Sequence, residues 1–396
     1  MSVELLMPAG NLEKLKFALI YGADAVYIGG KILSLRAQAS NFTLSDIKEG
    51  VEFAHSLNKK VYITVNVIPR DKEIPLVVNY LKSLEEIGVD GIIVSSPSIL
   101  KLAKDNTNIH ISVSTQASIS NLNSVLFYKN NGANRVVLAR ELNIDEIKYI
   151  KEKSNTEIEV FIHGGMCSAW SGRCTLSNYM SKRDANGGGC AHSCRWTYDI
   201  YEDDKKINTE PFKMGSKDLS GISFIKDLVE ANIDSLKVEG RMKSVSYVST
   251  IAYTYRRLID DIYNGTKKED SYYVRLLGEQ VNREASTGFL NETATENETL
   301  YSKESSLATQ GFYGIVLDYN DKTKEALVEV RNFFNKGDEV EVLSPNEDIK
   351  DFTITSIKLD GRVVDSARHA MDKVYISSPV HLKKNDILRR KLKWVK

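Results

Sequence analysis

The sequence predicts an α/β fold: a (β/α)8 TIM-like barrel with a long cysteine-bearing insertion after strand 7, plus a small C-terminal antiparallel β-barrel domain. A recurring pattern is the first observation that predicts the barrel. The pattern begins with Gly or Asn, continues through Asp or Asn and ends in an apolar run. It occurs four times, in GADAVYIG, GVDGIIVS, GANRVVLA and NIDSLKVE. Each copy follows an amphipathic helical stretch, as expected where a helix ends and a buried parallel strand begins.

The number of strands is the second observation. Eight short apolar runs before residue 240 have the length and β-branched content of buried strands. They lie near residues 3–7, 25–28, 60–65, 91–94, 109–113, 135–138, 158–162 and 234–238. Helical patterns fill the gaps, for example at 11–21, 43–57 and 75–87. Eight alternating units favour a closed parallel barrel. A doubly wound open sheet is the alternative, although no G-x-G-x-x-G follows the first strand.

The connection after the seventh strand is unusually long. It spans about residues 163–233 and includes a predicted hairpin around YDIYEDDKKIN. All four cysteines of the chain lie in it, at Cys167, Cys174, Cys190 and Cys194. Loops at the C-terminal ends of barrel strands carry the active sites of this fold, so the insertion is predicted to be functional.

The clustering of the cysteines indicates that the thiols act together on one metal centre. Their spacings are C-x6-C, C-x15-C and C-x3-C, with four glycines between the ligands. Structural zinc sites usually take two tight pairs, and only the second pair here is tight, so a loop around a 4Fe–4S cluster is favoured. Structural zinc, two disulfides and a Cys167–His163 nucleophile pair are the alternatives. Disulfides need an oxidising compartment, and a nucleophile pair leaves three thiols unexplained.

Composition excludes several classes of protein. Lys+Arg and Asp+Glu are equal at 53 each in 396 residues, so any contact with nucleic acid must come from a local patch. No stretch approaches the ~20 apolar residues of a membrane span. The first residues, MSVELLMPAGN, do not form a signal peptide. We therefore expect a cytoplasmic protein that does not bind membranes.

The last third of the chain has a different composition. A barrel domain at 1–263 ends with a predicted long helix at about 241–263, and residues 264–310 are predicted to be linker and irregular structure. The short strands FYGIVLDY, EALVEV, DEVEVLS, FTITSIK and KVYISS predict the small β-barrel at 311–396. Its tail, 383–396, has seven Lys or Arg residues and one Asp. The tail is either a solvated charged end or a phosphate-binding patch with Trp394 as a stacking face.

Polar or charged residues follow most of the predicted strands. Arg140 and Glu141 follow the sixth strand, and Lys237, Glu239 and Arg241 lie at the end of the eighth. In a barrel these side chains converge on one mouth. Glu239 is a candidate acid or base if burial raises its pKa. Lys237 is a candidate partner for Glu239, and an ion pair with a purely structural role inside the barrel is the alternative.

Several separated motifs resemble one known family. The run EVFIHGGMCSAWSGRCTLS, then GGGCAHSCRW and LKVEGRMKS, resembles the signature of the collagenase-like peptidase family of unassigned catalytic type. Three other stretches agree with this family, namely MPAGNLEKLKFALIYGADAVYIGG, LRAQASNF and STQAS. One stretch, VNREASTGF, departs from the usual aromatic-rich form. Length and the β-rich C-terminal part look most like the prephenate-dependent tRNA uridine hydroxylases of that family.

The resemblance implies oxygen-independent hydroxylation of wobble uridine in tRNA to 5-hydroxyuridine, with prephenate as co-substrate. Relatives in the quinone pathway carry a four-cysteine 4Fe–4S cluster, and the cysteines here match that ligand pattern. Prephenate is a dicarboxylate, which forked Arg donors hold well. Arg36, Arg140 and Arg241 are the candidates for this role, and Arg241 is grouped with Glu239 and Lys237 as catalytic.

Four further residues complete the predicted site. Asn66 and Gln116 are candidate hydrogen-bonding partners of the substrate, with ordinary buried polar residues as the alternative. Glu141 is counted with them as substrate-binding. His163 is predicted to bind substrate or tune the cluster, and a core histidine is the alternative.

Other functions stay open at this stage. A collagenase-like peptidase is one alternative, but the chain has neither H-E-x-x-H nor G-x-S-x-G. A hydroxylase of an rRNA base or a quinone-precursor ring is another, and an RNA-binding protein without chemistry is a third. An identical or paralogous partner subunit is compatible with the sequence.

Overall fold

Eight parallel strands close a barrel in the N-terminal part of the chain. The computed structural model describes residues 2–35, 41–277, 284–292, 295, 298–299 and 311–391. The first twelve strands among these residues are β1 (Glu4–Pro8), β2 (Ala25–Gly29), β3 (Lys60–Val65), β4 (Gly91–Val94), β5 (His110–Val113), β6 (Arg135–Val137), β7 (Glu157–Gly165), β8 (Tyr201–Glu202), β9 (Lys205–Lys206), β10 (Asp218–Ser220), β11 (Ser235–Val238) and β12 (Ala285–Ser286). Strands β1 to β7 pair in order, and β11 pairs with both β1 and β7. The predicted barrel is confirmed, and each of its strands begins within one residue of its predicted start.

Helices lie between the barrel strands, as predicted. They are α1 (Leu12–Ile20), α2 (Leu44–Ser56), α3 (Ile74–Ile87), α4 (Pro97–Asn106), α5 (Leu122–Asn130), α6 (Ile144–Ser154), α7 (Leu176–Ser181), α8 (Ile225–Glu230), α9 (Val245–Tyr263) and α10 (Asp270–Leu277). Side chains at the helix starts fix several of these boundaries. Thr43 and Asp46 form a reciprocal capping box at α2, and Ser244 caps α9 by accepting from the Tyr247 N–H.

The two faces of the barrel wall have different environments. Alternate strand residues such as Leu5, Val26 and Ile63 join the large apolar core between strands and helices. A separate, small apolar cluster consists of Leu6, Ala25, Tyr27, Tyr62 and Ile93, which alternate with that set along β1 to β4. The barrel interior therefore contains few aliphatic side chains, and charged and aromatic residues fill the remaining space.

The insertion after β7 folds over one end of the barrel. β7 continues past the barrel and pairs antiparallel with β10, which in turn pairs with β12. The predicted hairpin is present as β8 and β9. The helix α7 and two short turns, Ala185–Gly189 and Ser193–Arg195, carry the segment that contains the cysteines.

The antiparallel β-structure predicted for the C-terminal part is confirmed, and where a small β-barrel was predicted the described strands form an antiparallel sheet. Its strands are β13 (Phe312–Asn320), β14 (Glu325–Val330), β15 (Phe334–Asn335), β16 (Glu339–Leu343), β17 (Lys350–Thr353), β18 (Ile357–Leu359), β19 (Arg362–Val364), β20 (Ser366–Ala367), β21 (Lys373–Ser377) and β22 (Ile387–Arg390). Eight of them form one sheet in the order β17-β16-β22-β13-β14-β21-β18-β19. The hydroxyl oxygen of Tyr21, the residue after α1, lies 2.8 Å from each of the carbonyl oxygens of Leu343 and Asn385, and hydrogen bonding there connects the C-terminal part to the barrel.

One segment differs from the expectation of a linker. Residues Asp270–Leu277 form a helix, whose Tyr273, Leu276 and Leu277 are buried. The i, i+3, i+4 spacing of these three residues explains the helix, and the polar composition of 264–310 as a whole concealed it. Among the described residues no helix is both long and apolar enough to cross a membrane. The cytoplasmic location stays a prediction.

Candidate functional site

A cavity of about 500 Å³ opens at the C-terminal ends of the barrel strands. Barrel residues and insertion residues line it together. The lining includes Tyr27, Thr64, Asn66, Gln116, Arg140, Phe161, Cys167, Cys174, Cys190, Cys194, Arg195, Asp218, Lys237, Glu239, Arg241 and Lys243. This volume is within the range of small-molecule sites, and its position is that of the active site in TIM-barrel enzymes.

Glycines let the cysteine-bearing segment lie directly on the barrel. Gly172 has φ +81°, and a Cβ built there would lie 2.1 Å from the carbonyl oxygen of Gln116. Beside it, the Ser118 hydroxyl donates to the Ser171 carbonyl at 2.6 Å. The loop after β5 therefore supports the segment between Cys167 and Cys174, and only glycine fits at the closest approach.

The end of β7 directs the first cysteine toward the cavity. Gly164 has φ +101°, and a Cβ there would lie 2.3 Å from the Glu239 carbonyl oxygen. The Glu239 N–H donates to the His163 carbonyl at 2.8 Å, and the β7–β11 register shifts between Lys237 and Val238. This irregularity ends the barrel pairing, so β7 continues above the mouth and brings Cys167 to the cavity.

The four cysteines are free thiols that line the same cavity. Cys167 is partly exposed, yet surrounding protein atoms raise the pKa of its thiol, and Cys174 and Cys194 raise it further. The Ala169 N–H and Arg140 act in the opposite direction. Three of the four thiols are thus close enough to interact electrostatically.

The chemistry of the donor set is compatible with an iron–sulfur cluster. Within the described part of the chain, no three His, Cys, Asp or Glu side chains are arranged to hold one metal ion. Four cysteine thiolates around one cavity are the ligand type that 4Fe–4S clusters use. Cys167, Cys174, Cys190 and Cys194 would hold such a cluster.

Beneath the cavity, the barrel interior contains a network of ion pairs. Glu159 is 1% exposed, and its carboxylate contacts Lys237 Nζ at 2.6 Å and an Arg135 nitrogen at 3.1 Å. Arg135 also contacts Glu4 at 2.6 Å and Glu157 at 2.9 Å. Burial alone raises the pKa of Glu159, but Lys237 and Arg135 outweigh it and lower that pKa. The network therefore keeps Glu159 ionised at neutral pH.

Lys237 pairs with a different carboxylate from the one predicted. Its ammonium pairs with Glu159 rather than Glu239. Strands β7 and β11 are paired, and Glu159 on β7 lies opposite the residue two positions before Lys237 on β11, so both side chains are on the same face of the sheet. The Lys237 Nζ also lies 4.6 Å from the centre of the Tyr27 ring and 5.5 Å from that of Phe161. The structural ion pair anticipated as the alternative is therefore present, with Glu159 as the partner. Glu239 lines the cavity just above, with the Tyr27 hydroxyl 3.4 Å from its carboxylate.

Two of the predicted arginines lie at the cavity. The Arg140 guanidinium stacks 4.1 Å from the centre of the Phe161 ring and donates to the Gly165 carbonyl at 2.8 Å. Its Nε is buried and has no hydrogen-bond partner in the described structure. Arg241 is buried and donates to Ser34 Oγ at 3.0 Å, to Thr64 Oγ1 and to the Leu35 carbonyl. Arg241 thus anchors the loop after β2, whereas Arg140 has unused donor capacity. The third candidate, Arg36, lies outside the described residues.

Asn66 and Gln116 meet at the cavity wall. The Asn66 amide nitrogen donates to the Gln116 side-chain oxygen at 2.9 Å, and the Asn66 side-chain oxygen accepts from the Leu35 N–H at 3.1 Å. Both residues line the cavity. These two amides therefore form a fixed polar pair beside Arg241.

Two predicted residues are not among those that line the cavity. His163 is buried on the helix side of β7, where its Nδ1 lies 3.1 Å from the Tyr255 hydroxyl and its ring packs on Tyr247. Burial lowers the pKa of His163 to about 3, so it is a neutral core histidine. Glu141 follows Arg140 and is not among the lining residues, and burial raises the pKa of its carboxyl. Substrate binding by His163 and Glu141 stays a prediction, while the surroundings of His163 are those of the core histidine anticipated as the alternative. Cys167 lines the cavity and His163 does not, so no Cys167–His163 nucleophile pair forms among the described residues.

Sequence reasoning missed several residues of the lining. Tyr27, Phe161 and Thr64 are on the inner face of β2, β7 and β3, and a strict alternation count along each strand would have found them. Asp218 and Lys243 are 3.9 Å apart at the edge of the cavity. Asp218 had no such signal, because β10 pairs with β7 across the whole insertion.

Comparison with known proteins identifies the family. Residues 10–300 match peptidase family U32, and residues 308–389 match the C-terminal domain of the same family. The chain belongs to peptidase family U32. It is 42% identical over 402 residues to tRNA hydroxylation protein P1 of Bacillus subtilis (strain 168), covering 98% of this chain and 94% of that protein. It is 33% identical over 400 residues to tRNA hydroxylation protein P of Escherichia coli (strain K12), covering 89% and 88%.

A further U32 relative acts on another RNA, according to its name. The chain is 38% identical over 261 residues to the 23S rRNA 5-hydroxycytidine C2501 synthase of Escherichia coli (strain K12). That match covers 66% of this chain and 40% of the relative. The family resemblance expected from the cysteine motifs is therefore confirmed.

Proposed function

We propose that this protein is an RNA-modifying enzyme that converts wobble uridine of tRNA to 5-hydroxyuridine without molecular oxygen, with a 4Fe–4S cluster and prephenate as co-substrate. The names of the U32 relatives support hydroxylation of RNA. One structural observation carries the proposal: four thiols and a set of fixed cationic side chains line the same cavity at the barrel mouth.

The size and position of the cavity suit a single base that enters from outside. A volume of about 500 Å³ has room for a pyrimidine base and a small co-substrate, but not for a folded RNA. Enzymes that modify a base take it out of the stack into such a pocket. A wobble base is already unpaired in its loop, so presenting it costs little unstacking energy.

The cationic residues give the cavity a preference for anions. Arg140 is held over Phe161 and keeps an unused buried donor, which suits a carboxylate of prephenate. Lys237 is fixed at the cavity floor by its ion pair with Glu159, which also balances its charge, so Arg140 is the cation that is available to an anion. The Asn66–Gln116 pair presents amide groups that can bind the edge of a base.

Glu239 is the acid–base candidate. It lines the same cavity as the cysteines, and the Tyr27 hydroxyl lies 3.4 Å from its carboxylate. Hydroxylation at C5 replaces C–H by C–OH, a two-electron oxidation in which the oxygen atom enters at the level of water or of the prephenate hydroxyl and the two electrons go to an external electron acceptor. The proton that leaves C5 can be accepted by a carboxylate at this position. When bound, the cluster would supply electron-transfer chemistry at this end of the cavity.

Nucleoside analysis of tRNA tests the proposal. In a strain that lacks its own tRNA uridine hydroxylases, expression of this protein should restore 5-hydroxyuridine, and the variant Glu239→Gln should not. Arg275→Gln, which changes an exposed arginine on α10 far from the cavity, is the control and should restore it fully. No 5-hydroxyuridine with the unaltered protein would overturn the proposal.

An rRNA substrate is the second candidate, because one U32 relative is named for 23S rRNA cytidine hydroxylation. The same strains distinguish the two: 5-hydroxycytidine in rRNA, without 5-hydroxyuridine in tRNA, would reassign the substrate. A peptidase function has less support, because the described cavity lining holds no Cys167–His163 pair.

A further inference from the structure

Exposed aromatic residues are concentrated on the cysteine-bearing insertion. Trp170, Tyr179 and Trp196 have relative exposures of 43%, 83% and 39%. The whole chain has three tryptophans, and two of them are in this segment. Large aromatic side chains usually bury most of their surface, so exposure of both tryptophans indicates a surface that another molecule covers.

These aromatic residues border the cavity. Trp170 is between Ser168 and Ser171, which both line the cavity, and Trp196 directly follows the lining residue Arg195. Tyr179 is on α7, whose first residues Leu176 and Ser177 also line the cavity. A molecule whose reacting part enters the cavity would therefore contact this surface with its flanking parts.

The same segment has an excess of positive charge. Residues 167–198 contain four Lys or Arg residues and one Asp residue. Arg173 and Lys182 are exposed, and neither forms an ion pair with the described residues. We name Trp170, Arg173, Tyr179, Lys182 and Trp196 the aromatic rim. Unpaired cations between exposed aromatic rings are the features that bind single-stranded nucleic acid.

The basic tail, predicted as a possible phosphate patch, lacks these features. Lys383 pairs with Glu347, and Lys391 pairs with Asp351. Arg389 is buried and pairs with Glu341 at 2.9 Å. Trp394 lies outside the described residues. Three of the tail's seven cations are thus already neutralised by neighbouring carboxylates.

We propose that the aromatic rim binds the unpaired RNA nucleotides on either side of the target base. The tryptophan rings stack on the flanking bases, and Arg173 and Lys182 contact the phosphates between them. This inference rests on the proposed function for its RNA substrate. It adds the surface that recognises the RNA, and it places that surface on the insertion and not on the C-terminal tail.

Intrinsic tryptophan fluorescence provides a direct test that needs no turnover. The purified holoprotein is titrated with a synthetic anticodon stem–loop RNA. Stacking should quench the fluorescence, and Trp170→Phe with Trp196→Phe should remove most of the quenching, whereas Trp394→Phe should leave it. Trp170→Ala with Trp196→Ala should weaken binding at least about tenfold. Arg173→Gln with Lys182→Gln should lower the salt dependence of binding by about one unit per cation removed.

Matched variants elsewhere on the surface serve as controls. Phe127→Ala and Tyr149→Ala remove aromatic side chains that are 56% and 55% exposed on α5 and α6. Lys384→Gln removes an exposed cation from the tail. All three should bind the RNA as the unaltered protein does.

Three results would overturn the inference. The first is RNA binding that the rim variants do not change, and the second is the absence of RNA binding. The third is that the rim variants abolish self-association, as measured by sedimentation, while RNA binding stays unchanged. Binding is measured apart from hydroxylation. A rim that binds RNA in a protein without hydroxylase activity would therefore refute the proposed function and keep the rim.

Discussion

The charged residues at the two ends of the barrel interior differ in how they are paired. Toward the N-terminal ends of the strands, Glu4, Arg135, Glu157 and Glu159 form a connected network of ion pairs. At the mouth, a buried nitrogen of Arg140 has no partner in the described structure. A buried polar atom without a partner is costly in a folded protein. The difference indicates that the lower charges hold the barrel together, while the mouth is arranged for a ligand.

Removing the centre of the lower network should have the largest effect on stability. Glu159→Gln leaves Lys237 and Arg135 buried without their shared carboxylate, so we expect a loss of about 3–5 kcal/mol in the free energy of unfolding. Urea denaturation measures it. Glu49→Gln breaks an exposed pair with Lys16 and should cost less than about 1 kcal/mol. Equal losses for the two variants would show that the network is not structural.

The pH dependence of the protein's stability tests whether His163 is a buried core residue. Its pKa is about 3 in the folded protein and the ordinary value is 6.5, so below pH 6.5 the unfolded state binds a proton that the folded state does not. Stability should therefore fall as pH falls, by about 2 kcal/mol between pH 7 and pH 5 from this residue alone. His163→Gln should remove that part of the dependence in urea denaturation at the two pH values. An unchanged dependence would mean that His163 is protonated when folded.

Gly172 tests how the cysteine segment is held on the barrel. Gly172→Ala adds a Cβ 2.1 Å from the Gln116 carbonyl oxygen, so the segment must move and bound iron should be lost. Gly88→Ala is a matched control, because Gly88 has nearly the same φ, +82°, with no atom within 4 Å of the added Cβ. It should cost only about 1 kcal/mol of backbone strain and keep the iron. Iron retention in both variants would contradict the close packing inferred here.

Arg140 should show the smallest effect on stability and a large effect on activity. Arg140→Gln removes a cation that stacks on Phe161 and, among the described residues, donates one hydrogen bond, to the Gly165 carbonyl, so we expect less than about 1 kcal/mol of destabilisation. Formation of 5-hydroxyuridine should fall roughly 100-fold, because a bound carboxylate would lose its forked partner. Full activity in Arg140→Gln would remove this residue from the site.

Local patterns were sufficient to predict the barrel. Short apolar runs after Gly22, Gly88, Gly132 and Asn232 identify four of the eight barrel strands, and the length and β-branched content of the other apolar runs identify the remaining four. The helix α10 was missed because eight residues with three buried apolar positions give little signal inside a polar segment. The cysteines were found because clustering is visible along the chain.

The details of the site depend on contacts between distant residues. The ion pair of Lys237 and Glu159 joins two strands that are far apart in sequence. Glu239 is much nearer to Lys237 along the chain, so the sequence predicted Glu239 as the ion-pair partner. His163 directly precedes the cysteine segment, but a β-strand alternates its side chains between two faces, and the one at His163 is the helix side. Sequence proximity thus predicted the region of the site and could not predict which side chains enter the cavity.

The central claim is that the four thiols bind one iron–sulfur cluster at the mouth of the barrel. Anaerobic purification followed by iron analysis and absorbance spectroscopy tests it most directly. We expect about four iron atoms per chain and absorbance at about 400 nm. Both should be lost when Cys167, Cys174, Cys190 or Cys194 is changed to alanine, and both should be kept in Ser168→Ala. Iron that survives every single cysteine substitution, or a colourless protein with bound zinc, would contradict the account.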